Sequence, residues 1–391
     1  MVSLTRRTLL SASATGAALA GTGVLTAPAA RAAGDAILKP LPPEWFVDHG
    51  TNAEMRWESV RRQDYLTEPA RLFVRNHTKT PVIDPATWRL DLFGDGVDKP
   101  TSLSLADLRK LPRTRTTATI ECTGNGRSFF GSQQGKPASG TPWKLGAVGA
   151  VTWEGVRLAE VLDRAGLRPD AVSIMATGLD PNYVSGGVDY GAVRRPFPVA
   201  KALDDALLAW GVDGAPLLPD HGAPVRLVLP GWVGIASIKW LGSLQVARTE
   251  LTSPWNTKWY RMTGGDFPVD SPPLTVNPVR SAWELPWDAV LPSRRHVALT
   301  GRAWSGVGPI ARVDVSTDDG QTWSAARLHR QGRREAWTQW DFTWADPLPG
   351  AYRLMARATD AAGRTQPLVA RWNDGGYFFD AVVQHPVSVT A

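Results

Sequence analysis

The chain of 391 residues has a single cysteine, Cys122, and that scarcity closes several routes at once. One thiol cannot form an internal disulfide, supply a Cys-x-x-Cys-His haem attachment, or build a four-cysteine metal or cluster site. Histidines number only six, and His49, His296, His329 and His385 lack metal-ligand spacing, so they read as structural. No Lys/Arg block exceeds pairs such as Arg6-Arg7 and Arg194-Arg195. The net charge of +6 is therefore spread out, which argues against nucleic acid and suits an anionic substrate or an acidic docking partner. Beyond the first thirty-odd residues no stretch is apolar enough to span a bilayer. Tyrosine is scarce, 6 beside 10 Phe, whereas Trp reaches 18, so indoles must supply much of the core.

What is present begins with an address. Thr5-Arg6-Arg7-Thr8-Leu9-Leu10 is a twin-arginine pattern, followed by a weakly apolar Ala/Gly/Thr run over 11–26 and small-residue cleavage sites at Ala27-Pro28-Ala29 and Ala30-Arg31-Ala32. Residues 1–32 are expected to be a twin-arginine signal peptide, leaving a mature protein that is periplasmic or secreted. That route carries folded proteins, which suits a chain that takes up a cofactor before export.

The organising stretch is Thr119-Ile120-Glu121-Cys122-Thr123-Gly124-Asn125-Gly126-Arg127-Ser128. The β-branched residues before it read as a strand, so Cys122 stands where a strand gives way to a Gly/Asn turn, with Arg127 five residues on. A thiolate there, close to a fixed cation, suits soft-metal ligation; a buried thiol acting as a small hydrophobe is the alternative. A dinucleotide loop fits less well, because Phe129 stands where a third glycine belongs and no helix pattern follows.

Before this stretch, residues 34–66 are proline-rich and polar and read as an extended arm. Trp88-Arg89-Leu90-Asp91-Leu92-Phe93-Gly94 alternates as a half-buried strand. Ser104 can cap a short helix, with Asp107 at its third position and Pro112 as its stop; residues 158–165 are a second helix ended by Gly166. Residues 201–210 read as a third amphipathic segment, and Pro224 to Pro230 fence a buried strand. Irregular alternation of short strands and helices makes this first domain, residues 33–275, α+β. Prolines mark a boundary at 270–292. Residues 291–391 then carry only short strands and turns, including Asp318-Asp319-Gly320, and read as a β-sandwich.

Taken together, several segments resemble the sulfite oxidase family of molybdenum enzymes. They are Phe73-Val74-Arg75-Asn76-His77, Glu121 to Arg127, Asp220-His221-Gly222-Ala223-Pro224-Val225-Arg226 and Ile238-Lys239-Trp240-Leu241-Gly242, in that family's order. Gly301 to Gly306, Val313 to Ser316 and Gly320 to Trp323 resemble its immunoglobulin-like dimerisation domain. The resemblance implies one molybdenum per chain in a pyranopterin dithiolene (molybdopterin), with the Cys122 thiolate as the only protein ligand. It implies that Arg75 and Arg127 flank the metal and hold an anionic substrate, and that Tyr260 is a pocket tyrosine. It further implies that Phe73, Asn76, His77, Asp180, His221, Arg226, Ser237, Ile238 and Lys239 bind the cofactor.

The implied reaction takes sulfite and water to sulfate, two protons and two electrons. Reduction of a sulfoxide or nitrate, or oxidation of a protein-bound sulfur, keeps the cofactor and changes the substrate. Unlike the animal enzymes, the chain is expected to carry no haem, so its electrons should pass to a separate acceptor such as a c-type cytochrome. In Val383-Gln384-His385-Pro386, Gln384 stands where the animal enzymes carry a pocket arginine. Trp304, Trp323, Trp337, Trp340 and Trp344 exceed what a sandwich core should cover, so a shared apolar patch and a homodimer are expected.

Overall fold

The alternation and β-branched content around the cysteine produce the longest strand pairing of the first domain. Arg113–Glu121 runs antiparallel to Val148–Arg157, Arg113 opposite Val156 and Glu121 opposite Val148, and its burial rises toward the cysteine end. The computed structural model describes residues 36–60, 64–329 and 336–391; the twin-arginine pattern and both cleavage sites lie outside the described residues. Leu207–Val212 extends this sheet and carries both Ala215–Pro216 and Arg226–Val228 on its other side. A second sheet orders Arg194–Pro198, Ser173–Gly178, Leu241–Ala247, Arg89–Phe93 and Thr101–Ser104, with one parallel pairing, Leu241–Ala247 with Arg89–Phe93.

Local signals account for the short helices. Ser104 accepts from the Asp107 backbone N–H while Asp107 returns a bond to Ser104, a complete capping box on Leu105–Leu108. Leu158–Arg164 ends before Gly166, whose φ of 69° is left-handed. Two expectations change. The segment 201–210 is a helix only over Val199–Asp204, and Leu207–Val212 is a strand buried at every position, so its apolar residues serve a sheet. A short helix, Ser128–Ser132, does follow the cysteine loop, although five residues are too few to show a period.

The arm is structural. Phe46–Asp48 and Asn52–Met55 form a three-stranded sheet with Val74–Arg75, Asn52 opposite Arg75. The backbone N–H groups of Leu38 and Lys39 donate to the Asp220 carboxylate, at 2.9 and 2.7 Å.

The carboxy-terminal region is two sheets. One orders Arg280–Trp283, His296–Trp304, Thr338–Ala345 and Arg327–Leu328; the other orders Ala289–Pro292, His385–Thr390, Gly350–Asp360, Ile310–Ser316 and Ser324–Ala325. Its indoles do not form a shared patch: Trp304, Trp337, Trp340 and Trp344 are buried within the chain, and Trp323 is half-buried. The reason is a seam between the two regions. Trp304, Trp337, Phe379 and Val383 pack with Trp57, Phe129, Phe130 and Trp143 in one core. Among the described residues no helix is long and apolar enough to cross a membrane.

Candidate active site

Cys122 leaves the sheet at the end of its strand and lies 6% exposed. Its backbone N–H donates to Ala147 O at 2.9 Å, and Asn125 and Arg127 turn the chain by donating to Cys122 O and Gly124 O. The turn is shaped around Arg127. A Cβ on Gly124 would fall 2.4 Å from Arg127 Nη2, and one on Gly376, itself in left-handed backbone at φ 55°, would fall 2.7 Å from Arg127 Cγ, so a side chain at either place would displace Arg127. Arg127 Nε donates to Gly375 O and Nη1 to Thr141 O, at 3.0 and 2.9 Å.

Two cavities meet at the cysteine. An inner slot of about 720 Å³ is lined by Phe73, Arg75, His77, Cys122, Asp180, His221, Arg226, Ser237, Ile238, Lys239 and Tyr260. An outer mouth of about 1020 Å³ shares Arg75, His77, Cys122 and Tyr260 with it and adds Asn76 and Arg127. Every residue expected at the site is thus brought to one of these two walls. Gln384 is not: it lies outside both cavities, in contact with exposed Arg353, and the late segment that reaches the mouth is Gly375 to Tyr377. Residue spacing near the carboxy terminus misplaced it, because the turn from Asn373 to Phe378 loops inward before the last strand.

The slot is cationic. Lys239 Nζ donates to Asp220 O at 2.8 Å and to Asn76 Oδ1. Arg226 donates to His221 O and Ser237 O, both at 3.0 Å, and its guanidinium lies 4.8 Å from the Trp153 ring. Burial lowers Arg226 to about 9; burial and neighbouring Arg226 also push Lys239 well below the usual lysine range. Burial likewise holds His221 neutral, and it raises Asp180 to about 6. Two buried atoms on the slot wall, His221 Nε2 and Thr123 Oγ1, have no hydrogen-bond partner in the protein. Orphaned polar atoms beside three cations fit a polar, negatively charged ligand. Among the described residues no group of three His, Cys, Asp or Glu side chains converges on a metal position. A metal on Cys122 would draw its other ligands from a cofactor, as a dithiolene provides.

At the shared wall three donors converge on His77 Nε2: Arg75 Nη2 at 3.0 Å, Tyr260 Oη at 3.1 Å and Trp255 Nε1 at 3.3 Å. Burial, then Arg75 and Lys239, lower His77 well below its ordinary pKa, so its Nε2 is a neutral acceptor. Burial raises the Tyr260 phenol, which stays protonated. Burial opposes charge on Arg75, yet facing groups, Tyr260 first, outweigh it and raise its pKa; at Arg127 burial prevails and lowers it.

Sequence reasoning missed Trp255 and the mouth residues Thr51, Asn52, Tyr183, Trp259, Gly375 and Tyr377. They come from the arm, from aromatic loops and from the carboxy-terminal region; only the Gly375-Gly376 pair, a turn signal amid strands, marked one of these places.

The comparisons with known proteins agree with this geometry. Residues 77–255 match the oxidoreductase molybdopterin binding domain, and 275–387 match the Mo-co oxidoreductase dimerisation domain. The chain is 36% identical over 340 residues to human mitochondrial sulfite oxidase, covering 82% of this chain and 61% of that protein, so it spans about three fifths of its length. To chicken sulfite oxidase it is 35% identical over 342 residues, covering 82% of this chain and 72% of the relative. The sulfane dehydrogenase SoxCD of Paracoccus pantotrophus superimposes with a TM-score of 0.74 at 27% identity, over 87% of each chain. A cysteine between a cationic slot and an arginine-lined mouth, in a chain so similar to these proteins, places it in the sulfite oxidase family of molybdopterin-binding oxidoreductases.

Proposed function

We propose that this chain oxidises sulfite to sulfate at a molybdopterin held in the slot by His221, Arg226, Lys239 and Asp180, with Cys122 as the protein ligand to molybdenum. One observation carries this: the Cys122 thiol stands in the wall common to both cavities, so a metal held by that thiol and by a group in the slot would be reachable from the mouth. When bound, the cofactor supplies the two-electron exchange that transfers oxygen derived from water to the sulfur.

The chain's own residues do the rest. Arg75 and Arg127 bring two guanidinium groups to the mouth, where they attract and orient an oxyanion. Tyr260 keeps its proton, directs it to His77 Nε2 at 3.1 Å and accepts from Arg75 Nη2 at 3.4 Å. Sulfite plus water yields two protons, which leave through the mouth; His77, with its pKa pushed well below the ordinary value, orients the phenol rather than taking one. Trp255 Nε1 helps fix that imidazole so that Nε2 faces the phenol.

Electrons leave in this reading to a separate acceptor such as a c-type cytochrome, the expectation of a haem-free chain being part of the reading. Export by the twin-arginine route to the periplasm or exterior rests on the Arg6-Arg7 pattern. A homodimer joined through residues 291–391 is supported by the dimerisation-domain match. A second reading, oxidation of sulfur carried on a larger molecule, is favoured by the aromatic rim of Tyr183, Trp259 and Tyr377 and by the SoxCD likeness.

The test is ferricytochrome c reduction by the molybdenum-loaded protein with sulfite, and with a persulfide such as that of glutathione. Sulfite-dependent reduction is expected. Reduction by the persulfide alone shifts the assignment to the second reading, and reoxidation of reduced protein by a sulfoxide or nitrate without sulfite turnover refutes both.

A further inference from the structure

Tyr260 sits in left-handed backbone, φ 57°, a region that strains any residue except glycine. Something must hold it there. Its carbonyl accepts from Leu274 N at 2.8 Å. Its ring is stacked on that of Tyr377, centroids 5.1 Å apart and planes 21° from parallel.

Tyr377 itself is rigidly mounted. Asn373 Oδ1 accepts from Tyr377 N at 3.0 Å and Asn373 Nδ2 donates to Tyr377 O at 2.8 Å, closing the turn on a fully buried side chain. Phe378 N donates to Thr123 O at 3.0 Å, and Gly375 O receives Arg127 Nε, so the turn is fastened to the cysteine loop on two sides. The Arg127 guanidinium lies 5.7 Å from the centre of the Tyr377 ring. A turn from the carboxy-terminal region therefore supplies one flank of the mouth and touches two of its polar groups.

We propose that Tyr377 is a positioning residue for Tyr260. Its ring holds Tyr260 in the strained backbone and keeps the Tyr260 hydroxyl on His77 Nε2 and toward Arg75. A residue that merely filled space would be coupled to Tyr260 no more than to other neighbours. The kinetic part of the test rests on the sulfite reading given above; the structural part does not.

The experiment is a double-mutant cycle on the full, molybdenum-loaded chain, together with crystal structures. Tyr377→Leu is expected to lower kcat/KM for sulfite about tenfold in the parent, mostly in kcat, and less than about twofold when Tyr260 is already Phe. Tyr377→Phe keeps the stacked ring, so less than about a twofold loss is expected. In the Leu variant's crystal structure Tyr260 should leave left-handed backbone and its hydroxyl should leave His77. That readout stands even in a protein that proves to act on another substrate. Equal fold-losses in both backgrounds, a Phe variant as impaired as the Leu variant, or an unmoved Tyr260 in the Leu structure each overturn the proposal. Should the Leu variant not fold, Tyr377→Met takes its place in the cycle and in the structure.

Discussion

The slot and the mouth meet at Cys122 but are assembled differently. The slot is lined by residues between Leu72 and Tyr260, all from the first domain. The mouth takes Thr51 and Asn52 from the arm, Arg127 and Gly140 from the cysteine loop and its neighbour, and Gly375 and Tyr377 from the carboxy-terminal region. The lining differs too: backbone carbonyls tie down a cation in each, Arg226 in the slot and Arg127 at the mouth, but only the mouth carries the rings of Tyr183, Trp259 and Tyr377. Recognition of a large, invariant ligand can be written into a few short segments. Recognition of a small substrate is left to surfaces that only tertiary packing brings together.

The largest expected effect falls on the residue both cavities share. Cys122→Ser should abolish oxo transfer with the fold largely intact, since an alcohol is a harder and far less acidic ligand than a thiol of similar volume. Turnover per bound molybdenum measures it, and a normal value in a metal-replete variant would remove Cys122 from the centre.

Next, substitutions on either side should separate. Arg75→Gln or Arg127→Gln should leave molybdenum content near that of the parent and lower kcat/KM for sulfite about ten- to a hundredfold, the value of a charge-assisted hydrogen bond. Arg226→Gln should instead lower molybdenum content. Metal analysis beside steady-state kinetics reads both, and a loss of metal in the Arg127 variant would merge the two cavities into one site.

The last effect concerns stability without cofactor rather than catalysis. Asp180 lies against the slot wall with its pKa raised by burial to about 6, above the ordinary 3.8. The folded state therefore binds this proton more tightly than the unfolded state. The contribution is present below about pH 4 and is lost as pH rises through about 6. Asp180→Asn should be about 3 kcal/mol more stable than the parent at pH 7 and no different at pH 3, by denaturant unfolding of the cofactor-free chain. Equal stability at pH 7 would mean that water reaches this carboxyl.

The same contrast explains what could be read in advance. Capping at Ser104, the turn at Gly166 and the strand into Cys122 are local, and each was legible. The slot residues lie in short segments with characteristic order, so resemblance located them. Tyr377, Asn52 and Trp255 act through partners 117, 23 and 178 positions away, in the Tyr260 stack, the Arg75 pairing and the His77 bond respectively. No periodicity encodes such pairings. The indoles misled for a related reason: Trp304 and Trp337 suggest an oversized sandwich only until Trp57 and Trp143 are placed against them.

One junction bears on how the molecule comes into being. Glu121, immediately before the cysteine, is fully buried and accepts from Trp304 Nε1 at 2.9 Å and from Asn125 Nδ2 at 2.9 Å, with Arg280 Nε 3.3 Å away. Arg280 also donates to Asn125 O at 2.5 Å, inside the cysteine loop. A buried carboxylate without its cation and donors is strongly unfavourable, so the loop cannot settle until those residues arrive. Synthesis runs from the amino terminus, so Arg280, Trp304 and the turn bearing Tyr377 emerge well after the cysteine. The thiol at position 122 is therefore set in place only once those residues have followed it off the ribosome, and any cofactor loading that needs a finished loop must wait for them.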